Sequence, residues 1–167
     1  DTKEELVIMH KGHFKHYIRL GVELGLLDPG LGTKFDLDEL AKALKIDRDE
    51  LYKYSGVSTM QDRYLTKDAN QRPLEVPQYF WMRVAMGMSL KEKNPTEWAI
   101  KFYDKMSRLE YLSAGSTNIG AGTTRPSLSN CFLMQIEDDM DHIGKTVKDV
   151  LMLSKATGGI DRKSTRL

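Results

Sequence analysis

The sequence predicts an α/β chain in which a mainly helical N-terminal region leads into the first strand and the first helix of an α/β domain. Three observations support this prediction. Apolar residues recur at three- and four-residue steps through most of the first 112 positions, which is typical of amphipathic helices. A stretch rich in Gly, Ser, Thr and Asn follows at 113–130. After it, a short apolar run precedes one more helical pattern, the order expected at the start of an α/β unit.

The N-terminal third is predicted to form small helices. Residues 4–27 have a helical apolar pattern, and an Asp-Pro-Gly turn ends it. An Asp with a Glu three positions later has the spacing of a capping box, and this pair occurs at Asp36 and again at Asp47. The two pairs predict one helix at 37–45 and another that continues to about Tyr64.

Two further helices complete this region. Pro77 suits the first turn of a helix that continues to Lys91. Asn94 can cap the next helix, with Pro95 in its first turn, and the helical pattern continues to about Leu109. We therefore assign residues 1–112 to a helical N-terminal domain.

The composition of the sequence changes after residue 112, where Gly, Ser, Thr and Asn become frequent. Residues 113–130 are predicted to form a long structured loop, and loops of this length inside compact domains are usually functional or disordered. The run 131–136 is mostly apolar and predicts a short, buried strand. A helix at 140–155 follows. Residues 113–160 are thus interpreted as the beginning of an α/β domain.

Composition describes a globular chain that works in a reducing compartment. Of its 167 residues, 29% are charged and 40% hydrophobic, which excludes disordered and fibrous classes. The start is acidic and lacks the apolar core of a signal peptide, and no apolar stretch approaches the length of a membrane helix. A single cysteine, Cys131, excludes an internal disulfide. We expect a cytoplasmic protein.

The two ends of the chain indicate a piece of a longer protein. No initiator Met is present, and the last seven residues resemble the translation of a sequencing adapter. Residues 161–167 are therefore interpreted as a non-native tail and kept out of the fold prediction. The net charge is +1 with the tail and −1 without it, and neither value favours nucleic-acid binding.

Two patterns that often carry chemistry are weak here. His10, His13 and His16 spread around a helix instead of stacking at i, i+4, so metal binding is disfavoured. The Gly-Lys-Thr at 144–146 resembles the end of a phosphate-binding loop, but Asp139 stands where that motif needs glycine. We reject both as sites.

Cys131 is the strongest candidate for chemistry. A lone cysteine in an apolar run is more often a buried structural thiol than a reactive one. Its surroundings favour function, because a polar loop precedes it, carboxylates follow the strand, and a Gly-Gly pair at 158–159 follows the next helix. Glycines let backbone N–H groups approach a phosphate or a sugar closely.

Several separated motifs occur together in this sequence. They are Tyr52-Lys-Tyr54, Arg63-Tyr64-Leu65, Pro77-Gln78, Met82-Arg83-Val84-Ala85, Gly122–Leu133, Asp138-Asp139, Leu153-Ser154-Lys155 and Gly158-Gly159-Ile160. In this order and close to this spacing they resemble the large subunit of class I ribonucleotide reductase, and the resemblance covers nearly all of residues 36–160. It implies that Cys131 lies on the first strand of a ten-stranded α/β barrel, of which this chain contains only the beginning.

The resemblance also implies roles for individual residues in the reduction of ribonucleotides to deoxyribonucleotides. Cys131 corresponds to one of the two cysteines that reduce the ribose and become a disulfide. Asn130 stands where the family commonly has a substrate-contacting Ser. Gly115 falls on a substrate-loop position that is usually Ser or Thr, with the hydroxyls of Ser116 and Thr117 beside it. Gly158 and Gly159 correspond to glycines whose backbone lies against the substrate.

Regulation and partners are implied in the same way. Asp139 and Lys155 correspond to residues of an allosteric site for a deoxynucleoside triphosphate, and the helix between them to one that packs against its copy in a large-subunit homodimer. The parent protein is expected to use a ribonucleoside diphosphate substrate, thioredoxin or glutaredoxin as reductant, dNTP or ATP effectors, and a small subunit whose dinuclear metal generates a radical. No cofactor is expected on this chain itself, and an N-terminal ATP-binding cone is not visible in it.

Two alternatives remain open from the sequence. One is a fragment of an adenosylcobalamin-dependent class II reductase, which shares the barrel and the cysteine. The other is a non-enzymatic helical interaction module in which Cys131 is merely buried.

Overall fold

The computed structural model describes residues 2–155 and the backbone of residues 159–164. In these residues a series of helices precedes a strand and a long helix, as predicted, and a second strand that was not predicted follows them. The elements are α1 Lys3–Glu23, α2 Gly30–Thr33, α3 Leu37–Ala43, a 3₁₀ helix Ile46–Leu51, α4 Tyr54–Arg63, α5 Pro77–Ser89, α6 Pro95–Ser107, α7 Gly115–Gly120, β1 Cys131–Ile136, α8 Met140–Lys155 and β2 Gly159–Ser164.

Helix α1 ends four residues earlier than its apolar pattern predicts. Gly25 adopts a φ of +68°, and the amides of Leu26 and Leu27 both donate to the carbonyl of Gly21. A glycine in this left-handed conformation closes a helix without the steric penalty of a side chain. Leu27 continues the apolar pattern because it turns back onto Gly21 and is fully buried there.

The single helix predicted from Asp47 to Tyr64 is wrong. The structure has a 3₁₀ helix over Ile46–Leu51 and a separate helix α4 that starts at Tyr54. Asp49 binds the side chain of the buried Gln78 at 2.7 Å instead of serving the local helix. The cap predicted at Asp36 is confirmed, since its carboxylate accepts from the amides of residues 38 and 39 at the start of α3. The other half of the predicted capping box is wrong, because the Asp36 amide donates to Thr96 Oγ1 at 3.0 Å and not to Glu39.

Helix α5 is the centre of the helical core. Almost every one of its side chains is buried, and it packs along α6 on one side. Phe14 of α1 packs against Tyr79 of α5, and α3 packs on α1 and α6 and adds the fully buried Leu40 to the same core. Across the described residues, no helix combines the length and apolar character needed to cross a membrane.

Two glycine-to-alanine substitutions are expected to change stability in opposite directions. A Cβ at Gly87 of α5 would overlap the Gly122 amide nitrogen and lie 2.5 Å from the Ala121 carbonyl carbon, so the backbone must shift. Gly87→Ala should therefore lower the free energy of unfolding by roughly 1–3 kcal/mol. Gly12 in α1 has no atom within 4 Å of such a Cβ, so Gly12→Ala should raise it by about 0.5–1 kcal/mol. Urea denaturation of both variants checks the signs.

The segment 113–130 is not entirely loop. It contains the short helix α7, in which Ser116, Thr117 and Asn118 are buried. These side chains bond to neighbouring backbone groups, so their polarity, which suggested an exposed loop, is satisfied inside the protein.

The strand predicted at 131–136 and the helix predicted at 140–155 are confirmed, and β1 pairs in parallel with β2 across α8. The prediction that β1 is buried is wrong. Its residues alternate between exposed and half-buried, beginning with an exposed Cys131. This alternation is expected where α8 covers one face of the pair and nothing in the described part of the chain covers the other. Strand β2 continues to Ser164, which includes the first four residues interpreted as a non-native tail.

Candidate active site

Cys131 is the first residue of β1, and its Cα lies opposite that of Gly159, the first residue of β2. The thiol-bearing residue is exposed, and alternation along the strand places it on the same face as Leu133 and Gln135. That face is the one α8 leaves open. The strand pairing thus joins two of the predicted site residues, a reactive side chain and a glycine backbone, at one edge of the unit.

The predicted substrate-loop residues lie in α7 and are tied to the segment that precedes Cys131. Ser116 Oγ donates to the carbonyl oxygen of Ser129, and Thr117 Oγ1 donates to that of Leu128, both at 3.3 Å. Gly115 is half-buried at the start of α7. The two hydroxyls therefore bond the segment that leads into β1, at the residues two and three positions before Cys131.

Asn130 is exposed and directly precedes Cys131 in the chain. Gly158 lies outside the described residues. The structure thus places Asn130 beside Cys131 in the chain and the backbone of Gly159 opposite it, while α7 bonds the segment that precedes them.

Two tight backbone approaches fix the position of α7. A Cβ at Gly120 would lie 2.6 Å from the amide nitrogen of Ser127. Gly122 has a φ of +75°, and a Cβ there would lie 2.7 Å from the carbonyl oxygen of Arg83. Only glycine fits these positions, because any side chain would push α7 away from α5 and from the loop that leads to β1.

The residues predicted for an allosteric site lie at opposite ends of α8. Asp139 accepts a hydrogen bond from the amide of His142 at 3.0 Å and so caps the start of the helix, while Lys155 is its exposed last residue. Sixteen residues at 1.5 Å each separate them by about 24 Å along the axis. One chain does not bring these two side chains to the same nucleotide.

An open cleft of about 890 Å³ lies next to the end of α8, away from Cys131. Lys155, Arg63 and Arg125 contribute positive charge to its lining, and the backbone around Gly120 forms part of its wall. Neither Cys131 nor Asp139 lines this cleft. Its size alone therefore does not identify the reactive centre.

A buried polar cluster behind α7 was missed by sequence reasoning. Arg83 and Glu75 are fully buried and joined by two hydrogen bonds of 3.0 Å, and Tyr17 also donates to Glu75. Burial raises the pKa of the Tyr17 phenol well above its usual value, so it remains a donor. The available signal was an arginine in the middle of an otherwise apolar helix, which needs a buried partner.

The histidines of α1 do not form a ligand set. His13 and His16 are exposed, and His10 packs edge-on against Tyr79 with ring centroids 6.1 Å apart. Among the described residues, no group of three His, Cys, Asp or Glu side chains is arranged to hold a metal ion.

Comparison with known proteins gives a consistent result along the chain. A family model described as the all-alpha domain of ribonucleotide reductase matches residues 50–126. A second, described as the barrel domain of ribonucleotide reductase, matches residues 129–167. The boundary between them falls just before β1, where the helical region ends.

Curated relatives agree with the family models. The chain is 43% identical to the ribonucleoside-diphosphate reductase subunit alpha of Chlamydia muridarum over 98% of its own length and 16% of the relative's. Identity to the subunit alpha of Helicobacter pylori is 38%, covering 89% of the chain and 19% of the relative. Identity to the ribonucleoside-diphosphate reductase large chain of Schizosaccharomyces pombe is 40%, covering 74% and 15%. The chain thus spans less than a fifth of the length of these relatives.

Proposed function

Because the chain belongs to the ribonucleotide reductase large-subunit family, we propose that it is part of an oxidoreductase that converts ribonucleoside diphosphates to deoxyribonucleoside diphosphates. The observation that carries this proposal is the exposed Cys131 at the start of β1, with the backbone of Gly159 opposite it. A thiol in this position can reach a bound sugar, whereas a thiol buried beneath α8 could not.

Cys131 supplies one of the two thiols that the reduction consumes. The 2′-hydroxyl of the ribose leaves as water, a hydrogen takes its place on the 2′-carbon, and two thiols become one disulfide, which balances the two electrons. Cys131 is the single cysteine of this sequence, so its partner thiol comes from outside these 167 residues. An external dithiol, thioredoxin or glutaredoxin, returns the disulfide to two thiols by exchange.

The groups around Cys131 are suited to hold the substrate. The Asn130 amide can donate to a hydroxyl or a phosphate oxygen, and the backbone at Gly159 offers a surface with no side chain in the way. Gly158 precedes it in the sequence and stays a predicted substrate contact. Ser116 and Thr117, next to Gly115 in α7, support this site by bonding the segment that leads to Asn130. The large subunit works with a small subunit, whose dinuclear metal supplies the radical that starts the reaction, and this chain's residues position the sugar.

The positions of Asp139 and Lys155 support an effector site shared between two copies of the subunit. Val147 and Leu151 on α8 are 55% and 65% exposed, so the helix has an apolar face available to a partner. Antiparallel packing of α8 against its copy, about a two-fold axis perpendicular to the helix, would bring Asp139 of one copy toward Lys155 of the other. The carboxylate would then bind the ribose hydroxyl of a deoxynucleoside triphosphate and the ammonium its phosphates.

A single-turnover experiment tests the proposed reaction. Full-length protein is reduced, freed of reductant, and mixed with its small subunit, effector and a ribonucleoside diphosphate. We expect one deoxyribonucleotide per active site together with the loss of two free thiols, and peptide mapping should place Cys131 in the new disulfide. Product formation with Cys131 still reduced would contradict its role.

The isolated segment is expected to be inactive. Residues 1–160 contain one of the two thiols and only the first part of the barrel domain, so no complete site can form. Purified 1–160 should show no nucleotide reduction when mixed with a small subunit and a dithiol. Measurable turnover by this segment would contradict the proposal that the remaining groups lie outside it.

The relatives favour the two-subunit enzyme over the class II alternative. Their names contain "subunit alpha" or "large chain", which describe one component of a multi-subunit reductase. Adding adenosylcobalamin to the full-length protein without a small subunit discriminates the two, because only a class II enzyme would then turn over. The matches to both domains of an enzyme family likewise disfavour a non-enzymatic helical module.

A further inference from the structure

The guanidinium of Arg83 binds the carbonyl groups at the C-terminal end of α7. Its Nη1 donates to Ala121 O at 2.6 Å and its Nη2 to Asn118 O at 3.3 Å, while Nε and Nη2 bind the two carboxylate oxygens of Glu75. The last carbonyls of a helix lack partners within it, and a cation is favoured at that end. Arg83 therefore caps α7 from inside the core.

Glu75 orients this cap. Its carboxylate accepts hydrogen bonds from the amide of Thr66 at 2.7 Å and from the Tyr17 hydroxyl, in addition to the two that Arg83 donates. Every polar group of the pair is thus bonded, and both side chains are fully buried. The guanidinium plane is consequently held in one orientation, as a buried bidentate pair requires.

The N-terminal half of α7 transmits this position to the reactive strand. Ser116 and Thr117 bond to the carbonyls of Ser129 and Leu128, which come directly before Asn130 and Cys131. Since α7 is only six residues long, its two ends move together. A continuous set of hydrogen bonds therefore runs from Glu75 through Arg83 and α7 to Ser129, two residues before the thiol.

We propose that Arg83, oriented by Glu75, is a positioning residue for ribonucleotide reduction: it sets α7 and, through the Thr117 and Ser116 hydroxyls, the substrate-contacting segment at Asn130 and Cys131. This inference rests on the proposed function. It assigns to Arg83 a role in substrate binding although the side chain is buried and touches no substrate.

The test compares Arg83→Lys with Tyr103→Phe in the full-length enzyme with its small subunit. Lysine keeps the positive charge beside Glu75, so the variant is expected to fold. Its single ammonium group cannot donate to Glu75 and to the α7 carbonyls at the same time, as the planar guanidinium does. We expect kcat/KM for the ribonucleoside diphosphate to fall about 10- to 100-fold, chiefly through a higher KM. A thermal melt measures the folded fraction in each preparation.

Tyr103→Phe is the matched control, because Tyr103 is equally buried and bonds Gln78 and the amide of Lys45 without touching α7. It should lower the melting temperature and leave KM within about two-fold of wild type. Combining Arg83→Lys with Thr117→Val should give a non-additive change in KM, as expected of residues acting through one network.

Each outcome decides the inference. An Arg83→Lys enzyme that is folded and active with an unchanged KM would overturn it while leaving the proposed function intact. So would loss of folding in Arg83→Lys but not in Tyr103→Phe, since Arg83 would then serve the whole core. A full-length wild type without reductase activity would instead overturn the proposed function, and this inference with it.

Discussion

Replacing Cys131 with serine in the full-length protein is expected to reduce ribonucleotide reduction by at least about 1,000-fold, or roughly 4 kcal/mol in the barrier. Serine has nearly the shape of cysteine and leaves β1 intact, but a hydroxyl cannot give up electrons to form a disulfide. The loss should appear in kcat, while the affinity for the ribonucleoside diphosphate changes little, because the substrate contacts proposed here come from Asn130, the glycines and α7. Steady-state turnover and equilibrium binding together measure both quantities.

Leu133→Val on the same face of β1 is the control for this substitution. Leu133 lies two positions after Cys131, on the same face of β1, and is 82% exposed. The change therefore tests whether activity depends on any small alteration of that face. We expect it to keep most of the activity. If Cys131→Ser retained turnover comparable to Leu133→Val, the thiol would not be the reductant, and the exposed edge of β1 would have another use.

Glu75→Ala is expected to lower the free energy of unfolding by about 3–5 kcal/mol, because it leaves the Arg83 charge buried without its partner. The same change removes the acceptor for Tyr17 and for the amide of Thr66. Domains of this size have about 5–15 kcal/mol in total, so the variant should be close to the folding threshold. The shift in urea midpoint at an unchanged slope measures the effect.

Glu97→Ala is the contrasting variant, because Glu97 forms a shorter ion pair than Glu75 but an exposed one. Its carboxylate lies 2.6 Å from Lys101 Nζ, against 3.0 Å for the Glu75–Arg83 pair. The side chains of Glu97 and Lys101 are each 55% exposed, whereas Glu75 and Arg83 are fully buried. Water and salt screen such a pair, so we expect no resolvable shift in the urea midpoint. Equal effects of the two substitutions would mean that burial does not decide the strength of these pairs.

Local patterns predicted the elements whose boundaries are set by their own residues. The Asp36 cap, the proline-led starts of α5 and α6, and the strand and helix at 131–155 all follow from interactions within a few positions. The end of α1 and the break before Tyr54 were not predictable in this way. Leu27 extends the apolar pattern because of a contact with Gly21 after the chain reverses, and Asp49 is recruited by Gln78 from α5.

In the candidate site, too, local sequence predicted some features, while others depend on contacts between distant parts of the chain. Local sequence placed Cys131 in a strand and the Gly-Gly pair after the next helix. The strand β2, whose parallel pairing with β1 sets Cys131 opposite Gly159, was not predicted. The support for α7 was not predictable, because Arg83 reaches it from 35 to 38 positions away and nothing in the local sequence marks that contact. Exposure of Cys131 likewise depends on which face of β1 the helix α8 covers.

The contact between the turn after α1 and the segment after α7 affects how the protein emerges from the ribosome. Thr124 bonds the carbonyls of Gly25 and Leu26, and the first of these bonds closes a separation of 99 positions. At about 5–20 residues per second, synthesis takes roughly 5–20 s to span that interval. Helices α3 and α5, which pack on the apolar side of α1, are complete before Thr124 is added, so the bonds that fix the turn after α1 can form only late in synthesis.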